Sequence, residues 1–384
     1  MSVFNDQLET PAITDYMVPA QRRISLNGNM ARRLLDTELD VGCMRPYVDG
    51  AGNSYITRNQ MAWDPKKQMY LPQRVIVPTT NDTNATLRYD DWKQIDAAVV
   101  KAAKPRLKAA GDLQAAGLVY NLPNGIAKTD LQSQTQSDIS GATVSMDGMR
   151  RGESDRPVFG TVHFPIPIIH KDFSFPLRQV LESRTGPSPL DLTTAELAAR
   201  RVAEQVEQLV LGTTNTALLG PASYSFNAST IYGYMNWPTR ITYAITTPTA
   251  AGWTPQQAVA DVLGMKKASQ AAFHFGPWRL YAGLSWDPYM DDDYKATYNG
   301  TTLRQRLLDI KDIQAVETVD YIPDYSLLLV QQTTNVVRLV IGMNIITIQW
   351  ESEGGMELNF KVMCVMVPQL RADFNSNTGI VHGS

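Results

Sequence analysis

Phe164-Pro-Ile-Pro-Ile-Ile-His-Lys-Asp-Phe-Ser-Phe-Pro-Leu-Arg178 is an extended, proline-punctuated run, and it feeds a Gly/Pro/Ser-rich hook and then one long helix. The helix signals are local and physical. Thr193 stands three residues before Glu196, the spacing of a capping box in which each side chain satisfies the other's free backbone N–H. Asp191 and Glu196 lie near the positive end of the helix dipole. Ala195, Ala199, Val202, Val206 and Leu209 recur at steps of three and four and make one apolar stripe. The core face is therefore read as Ala199, Val202, Val206 and Leu209. The opposite, polar face is read as Arg200, Arg201, Glu204 and Glu207, with Gln208 beside them. Gly212 supplies the stop, because glycine takes a left-handed position without strain. A helix of about 18 residues would make a rod roughly 27 Å long.

An extended strand, a hook and a single long amphipathic helix form an unusual passage for an enzyme. It resembles the spine-helix passage of the tailed-bacteriophage capsid fold of the Hong Kong 97 type, shared by encapsulin nanocompartment shells. The residues that carry the likeness are Phe173-Ser-Phe-Pro-Leu-Arg178, the Arg184-Thr-Gly186 hook, and 192–212 with its Ala-Ala-Arg-Arg-Val-Ala-Glu core.

Composition narrows the class. A chain of 384 residues with 43% hydrophobic and 19% charged residues builds a real core and divides into two or three lobes. The formal net charge of −3 carries no global signature of a nucleic-acid binder. Two cysteines, Cys43 and Cys364, are too few for a disulfide framework and read as free buried thiols of a reducing compartment. The first residues, Met-Ser-Val-Phe-Asn-Asp-Gln, have neither the basic nor the apolar part of a signal peptide. The most apolar run, 336–348, is broken by Arg338, Gly342 and Asn344 and is too short for a bilayer span. An intracellular, soluble protein is expected, with no membrane contact.

Along the chain, residues 1–88 are rich in Pro, Asn, Thr and Arg. Aromatic residues are scattered through them, with short extended pieces at 68–71 and 74–77. They read as an N-terminal arm ordered against a partner, or else as a small α+β subdomain. Residues 89–119 are helical: Trp92, Ile95, Val99 and Ala102 keep helical spacing, and Pro105 ends the first piece. Residues 126–172 read as a long two-stranded excursion with a polar outbound strand, a tip at 147–157 and a return strand over 158–169. An isolated hairpin of this kind is marginal in water, so a neighbouring subunit is expected beneath it. Residues 241–345 alternate helices and strands. Strands are expected at 336–341 and, separately, at 343–351 and 356–367.

The resemblance, taken over 89–384, implies an α+β capsid fold. It assigns an N-terminal arm at 1–88, a P-domain helix segment at 89–125 and an E-loop at 126–172. The P-domain then continues over 173–240, with the spine helix at 193–211. An A-domain follows at 241–345, and C-terminal P-domain strands at 346–384. The hairpin-tip residues Arg150, Arg151, Glu153, Asp155 and Arg156 become an expected assembly interface.

Signs of chemistry are few. His163, His170, His274 and His382 show no metal-ligand spacing. There is no nucleophile elbow, phosphate-binding loop or dinucleotide fingerprint. The run Asp291-Asp-Asp293 lacks the glycine and distal glutamate of a calcium loop and reads as a solvated helix end. His170 and Asp172 alternate onto one face and read as an exposed pair rather than acid/base machinery. No catalytic residue, cofactor or metal is expected.

The resemblance implies a non-enzymatic major capsid protein, assembling as hexamers and pentamers into an icosahedral shell around double-stranded DNA. Expected partners are other copies of the chain, a portal, scaffolding or decoration proteins, and weak sequence-independent contacts with packaged DNA. Its place is the virion, after assembly in the host cytoplasm. The alternatives are an encapsulin-type compartment shell and an enzyme with its site in the 241–345 lobe.

Overall fold

The computed structural model describes residues 45–49, 53–64, 69–78, 87, 89–137, 141–142, 144, 146, 149, 156–185, 192–213, 222–294, 301–352, 356–373 and 376–384. It opens with strands β1 (Tyr47–Val48), β2 (Ser54–Asp64) and β3 (Met69–Pro78), then helices α1 (Tyr89–Ala103) and α2 (Ala109–Ala115). Strands β4 (Val119–Asn121), β5 (Asp130–Gln136), β6 (Phe159–Pro165) and β7 (Ile169–Pro176) lead to helices α3 (Leu177–Thr185) and α4 (Thr193–Leu211). Next come β8 (Tyr224–Phe226), β9 (Ser229–Ile231), β10 (Ile241–Tyr243), helix α5 (Pro255–Ala271) and β11 (Trp278–Gly283). Helices α6 (Asp287–Met290) and α7 (Leu303–Leu308) precede β12 (Ile313–Val319), β13 (Leu327–Gln331), β14 (Val337–Ser352), β15 (Glu357–Leu370) and β16 (Ile380–Gly383).

The first lobe is a four-stranded sheet, β4-β14-β15-β7, with the long helix laid on it. β15 lies between β14 and β7, antiparallel to both. Its side chains alternate, as a pleated strand requires. Leu358, Phe360, Val362, Cys364 and Met366 enter the core under the helices. Met363, Val365 and Val367 enter a second core on the other face. A strand buried on both faces has no polar alternation, which is why 358–367 reads as a nearly unbroken apolar run.

Helix α4 contributes Ala199, Val202, Val206 and Leu209 to the helical side of this core, all at most 3% exposed. Trp92, Ile95 and Val99 of α1 pack into the same cluster. Phe360 gathers the aromatic residues: Phe173 stacks on it at 5.2 Å, and Phe175 and Trp92 meet it edge-on at 5.6 and 6.1 Å. Burying a large apolar side chain of this kind stabilises by about 1.5–3 kcal/mol. Gly212 ends α4 with φ 76° and donates its N–H to Gln208 O at 2.8 Å. The start of α4 differs from the expected capping box. Leu192 occupies the N-cap and makes no side-chain cap there, and Thr193 is already the first helical residue.

The second lobe is a five-stranded mixed sheet, β10-β16-β13-β11-β12, covered by α5, α6 and α7. Trp278, Leu280, Trp286, Met265 and Leu329 form its own core. Pro255 suits the first turn of α5, and Gln257 Oε1 accepts the Thr254 N–H at 3.1 Å.

Four further expectations change. The runs at 336–341 and 343–351 are one strand of 16 residues, β14. Gly342 and Asn344 are absorbed at shifts of register between Ile341 and Met343 and between Met343 and Ile346. The C-terminal strand β16 leaves the first lobe and inserts between β10 and β13, placing Val381 in the core of the second. Part of the expected arm is a regular hairpin: β2 and β3 pair from Tyr55↔Pro78 to Asp64↔Met69, and β1 adds a third strand. Tyr47 and Ile76 are buried in the main core, so this portion packs on its own subunit. Residues 1–44, the first half of the arm, lie outside the described residues.

The fourth change concerns the excursion. The return strand expected over 158–169 stops at Pro165. Pro165 and Pro167 lack the N–H needed to continue a ladder. Ile166 turns into the second core of the first lobe, and Ile169 begins β7 in the four-stranded sheet. What projects is the two-stranded ribbon β5-β6, paired from Asp130↔Pro165 to Gln136↔Phe159.

Candidate assembly surface and interdomain cluster

Among the described residues, the β5-β6 ribbon is held chiefly at its base, and β6 lies beside β8 and β9. At the base, Phe164 and Ile166 are buried and Asp130 Oδ2 lies 2.6 Å from His163 Nδ1. Away from the base, Val158, Phe159 and Val162 are 71%, 62% and 39% exposed. Val144, Met146 and Met149, between the strands, are exposed as well. Of the expected interface residues, Arg156 is described and exposed. Arg150, Arg151, Glu153 and Asp155 lie outside the described residues. Beside the ribbon base, a groove of about 500 Å³ runs between Ile126, Ile168, Tyr224, Phe226 and Met363, with Lys128 and Lys361 among its lining residues.

On α4, Arg200 and Arg201 are partly exposed and both reach Glu204, at 3.4 and 2.9 Å. Arg106 approaches the same carboxylate at 3.8 Å. The placing of Glu204 and Glu207 on a polar face away from the core is corrected: Glu204 is 6% and Glu207 0% exposed. The cause is a partner the helix pattern does not contain. Glu207 Oε1 accepts the Ala109 N–H at 2.6 Å and Oε2 accepts the Ala110 N–H at 3.2 Å, satisfying free donors at the start of α2. Burial pushes the Glu207 carboxyl up to about 7, Asp112 adds to the rise, and the two N–H donors and Lys108 oppose it. One sequence signal was available: Ala203 and Leu211 lie four residues to either side of Glu207, so the apolar stripe widens around it toward the helix end.

Glu207 belongs to a charged cluster where the two lobes meet. Asp112 of α2 pairs with Arg279 of β11, and its Oδ2 accepts the Tyr281 hydroxyl at 2.9 Å. Arg279 also reaches Glu317 of β12 at 3.1 Å. Lys108 Nζ donates to Thr318 O at 3.0 Å and pairs with Asp320 at 3.1 Å. Tyr234 and Tyr281 stack at 6.4 Å, both fully buried. Burial raises the Glu317 carboxyl, and Asp112 adds to it. Burial likewise pushes both tyrosine hydroxyls well up.

Other candidate positions stay ordinary. Asp291 and Asp287 are held by Arg304 at 2.9 and 2.8 Å. Among the described residues, no group of three or more His, Cys, Asp or Glu is placed to hold a metal ion. Asp172 lies 3.6 Å from both His170 and Lys361 on an exposed face. Burial drives the Cys364 thiol up to about 12, which makes it inert. Among the described residues, no helix is long and apolar enough to cross a membrane.

No curated protein matches the chain. Solved structures do. The chain is similar to the virus-like particle from Pyrococcus furiosus, with a TM-score of 0.55 at 14% identity, covering 77% of this chain and 100% of that one. It is also similar to the capsid of Myoviridae Phage XM1, with a TM-score of 0.52 at 11% identity, covering 70% and 90% of the two chains. These likenesses show the fold, which is the α+β Hong Kong 97-type capsid fold. A model described as "Family of unknown function (DUF6260)" matches residues 81–383, and the chain belongs to that family.

Proposed function

We propose that the chain is a structural shell subunit: the major capsid protein of a tailed bacteriophage, assembling as hexamers and pentamers into an icosahedral shell around double-stranded DNA. The observation that carries this is the β5-β6 ribbon. It exposes Val158, Phe159 and Val162 on a two-stranded element that gains little from its own subunit. On a fold shared with the Phage XM1 capsid, a surface of this kind is best used against another copy of the chain. The first lobe corresponds on this reading to the P-domain, α4 to the spine helix, and the five-stranded lobe to the A-domain. Portal, scaffolding and decoration proteins would be the further partners. The partly exposed Arg106, Arg200 and Arg201 suit weak contacts to phosphate. The virion would be its destination and the host cytoplasm its place before assembly.

A compartment shell of the encapsulin type is the second reading, favoured by the match that covers the whole of the Pyrococcus furiosus chain. Purification of the full chain, followed by size-exclusion chromatography and electron microscopy, tests the shell reading. Closed megadalton particles or capsomers are expected. Elution as a monomer or small oligomer across the accessible concentration range would overturn it. The contents of particles purified from the native source separate the two shell types: double-stranded DNA for a capsid, a protein cargo for a compartment.

A further inference from the structure

We propose that the cluster of Glu207, Asp112, Arg279 and Glu317 is a proton-operated latch between the lobes, closed when Glu207 is protonated and loosened when it ionises.

The geometry comes first. Glu207 is fully buried on α4 and is held by the first two N–H groups of α2, while α2 is tied to the second lobe through Asp112. Tyr281 and Tyr321 of the second lobe belong to the same core cluster as α2 and α4. The site is therefore buried where the two lobes are docked. The charges and hydroxyls of this junction come from several elements. Arg106 and Lys108 lie just before α2, Asp112 on α2, and Glu204 on α4. Tyr234 follows α4. Arg279 and Tyr281 come from β11, Glu317 from β12, and Asp320 and Tyr321 from the turn after β12. Arg106 and Lys108 are drawn toward Asp320, and Arg106 also toward Glu204. Arg279 is left between two carboxylates, Asp112 and Glu317, with the carboxyl of Glu207 close behind Asp112. A negative charge on the fully buried Glu207, beside Asp112, is unfavourable. The Tyr234 hydroxyl adds a second observation: it is buried without a hydrogen-bond partner, so the polar pocket is not fully satisfied in its closed form.

Opening the junction hydrates Glu207 and returns it toward an ordinary carboxylate. The closed form thus binds the proton more tightly than the open one, and acid favours closure. The raised carboxyl, at about 7 in the closed form against a reference of 4.5, sets the window. Opening becomes more frequent as pH rises from about 5 to 7, by up to tenfold per unit, and levels off above 7.

The test is hydrogen exchange on the full chain between pH 5 and 8.5, corrected for the intrinsic pH dependence of exchange. Segments 109–115 and 278–283 are compared with the centre of β15. The expected result is protection at the junction that falls toward pH 7 and then flattens, with no such change in β15. Glu207→Gln should remove the slope and hold the junction at its acid level. Asp112→Asn, which deletes the neighbouring negative charge, should shift the midpoint to lower pH. A wild-type junction whose protection is flat or rises between pH 5 and 7 would overturn the proposal, even if neither variant folds. So would a Glu207→Gln profile that keeps the wild-type slope. Since the readout is within the subunit, failure to form shells does not affect it.

Discussion

Gly125 and Gly342 meet backbone to backbone, so closely that a Cβ on Gly342 would lie 2.8 Å from Gly125 Cα and 2.9 Å from Val365 Cγ1. A Cβ on Gly125 would fall inside van der Waals contact of Gly342 Cα. The approach places the turn before β5 on the irregular part of β14, and Leu122 N donates to Ile341 O at 2.8 Å alongside it. Neither side can yield as a flexible side chain would. Gly125→Ala is expected to destabilise the subunit by about 3 kcal/mol, the upper end of overpacking. Gly111→Ala, with open space around its Cβ, serves as the control. Thermal unfolding of the two variants checks this; equal melting temperatures would mean that the two glycines do not touch.

Ser269 and Trp278 make a second buried test. The indole N–H donates to Ser269 Oγ at 3.1 Å, and both residues are fully buried. Ser269→Ala leaves that N–H without its acceptor, at a cost of about 1–3 kcal/mol. The urea midpoint should fall accordingly. An unchanged midpoint would show that another acceptor replaces the hydroxyl.

Helix α4 separates burial from charge. Val206→Asp buries a lone carboxylate in the main core and should cost on the order of 4 kcal/mol. Arg201 is 36% exposed, and without it Glu204 still has Arg200 at 3.4 Å and Arg106 at 3.8 Å. Arg201→Ala should therefore stay within ~1 kcal/mol. Comparable losses in the two variants, measured by chemical denaturation, would contradict the assigned faces.

What could be read in advance follows from where the information resides. The apolar stripe of α4 and its glycine stop are local patterns, and they were legible. The burial of Glu207 showed only as the widening of the stripe by Ala203 and Leu211; its partner was hidden, because it is the start of a helix almost a hundred residues earlier. Gly342 and Asn344 looked like a break between two strands, since a bulge and an interruption look alike without the facing strand. Four residues of β16 carry too little period to reveal which sheet they join. The cluster around Arg279 was invisible for the same reason as the partner of Glu207: its members come from α2, β11, β12 and α4, and only the docking of two lobes brings them together.

The ribbon β5-β6 bears most directly on function. Its outbound strand carries Gln132, Ser133, Gln134 and Thr135, with only Leu131 packed against the core beneath. Its return strand exposes Phe159 and Val162 and buries only its base. Beyond its buried base, the ribbon meets the body through β8 and β9, which lie beside β6, and through Arg371 Nη2, which donates to Ser133 Oγ at 3.4 Å. So little buried apolar area cannot hold its outer part in place in water. Another subunit beneath it would cover Val158, Phe159 and Val162. Each exposed ion pair that Arg156 made there would add only ~0–1 kcal/mol. Repetition around a closed symmetric assembly multiplies such small terms. Replacing residues 146–157 with a short Gly-Ser turn should leave the melting temperature of the subunit within a few degrees and prevent or weaken shell closure. Phe159→Ser should do the same more mildly. Electron microscopy and size-exclusion chromatography report the assembly, and circular dichroism reports the fold. In wild type, hydrogen exchange over 130–165 should be fast in free subunits and slow in shells. Equal protection in both states would place the ribbon in the subunit's own core and remove the main support for a shell-forming role.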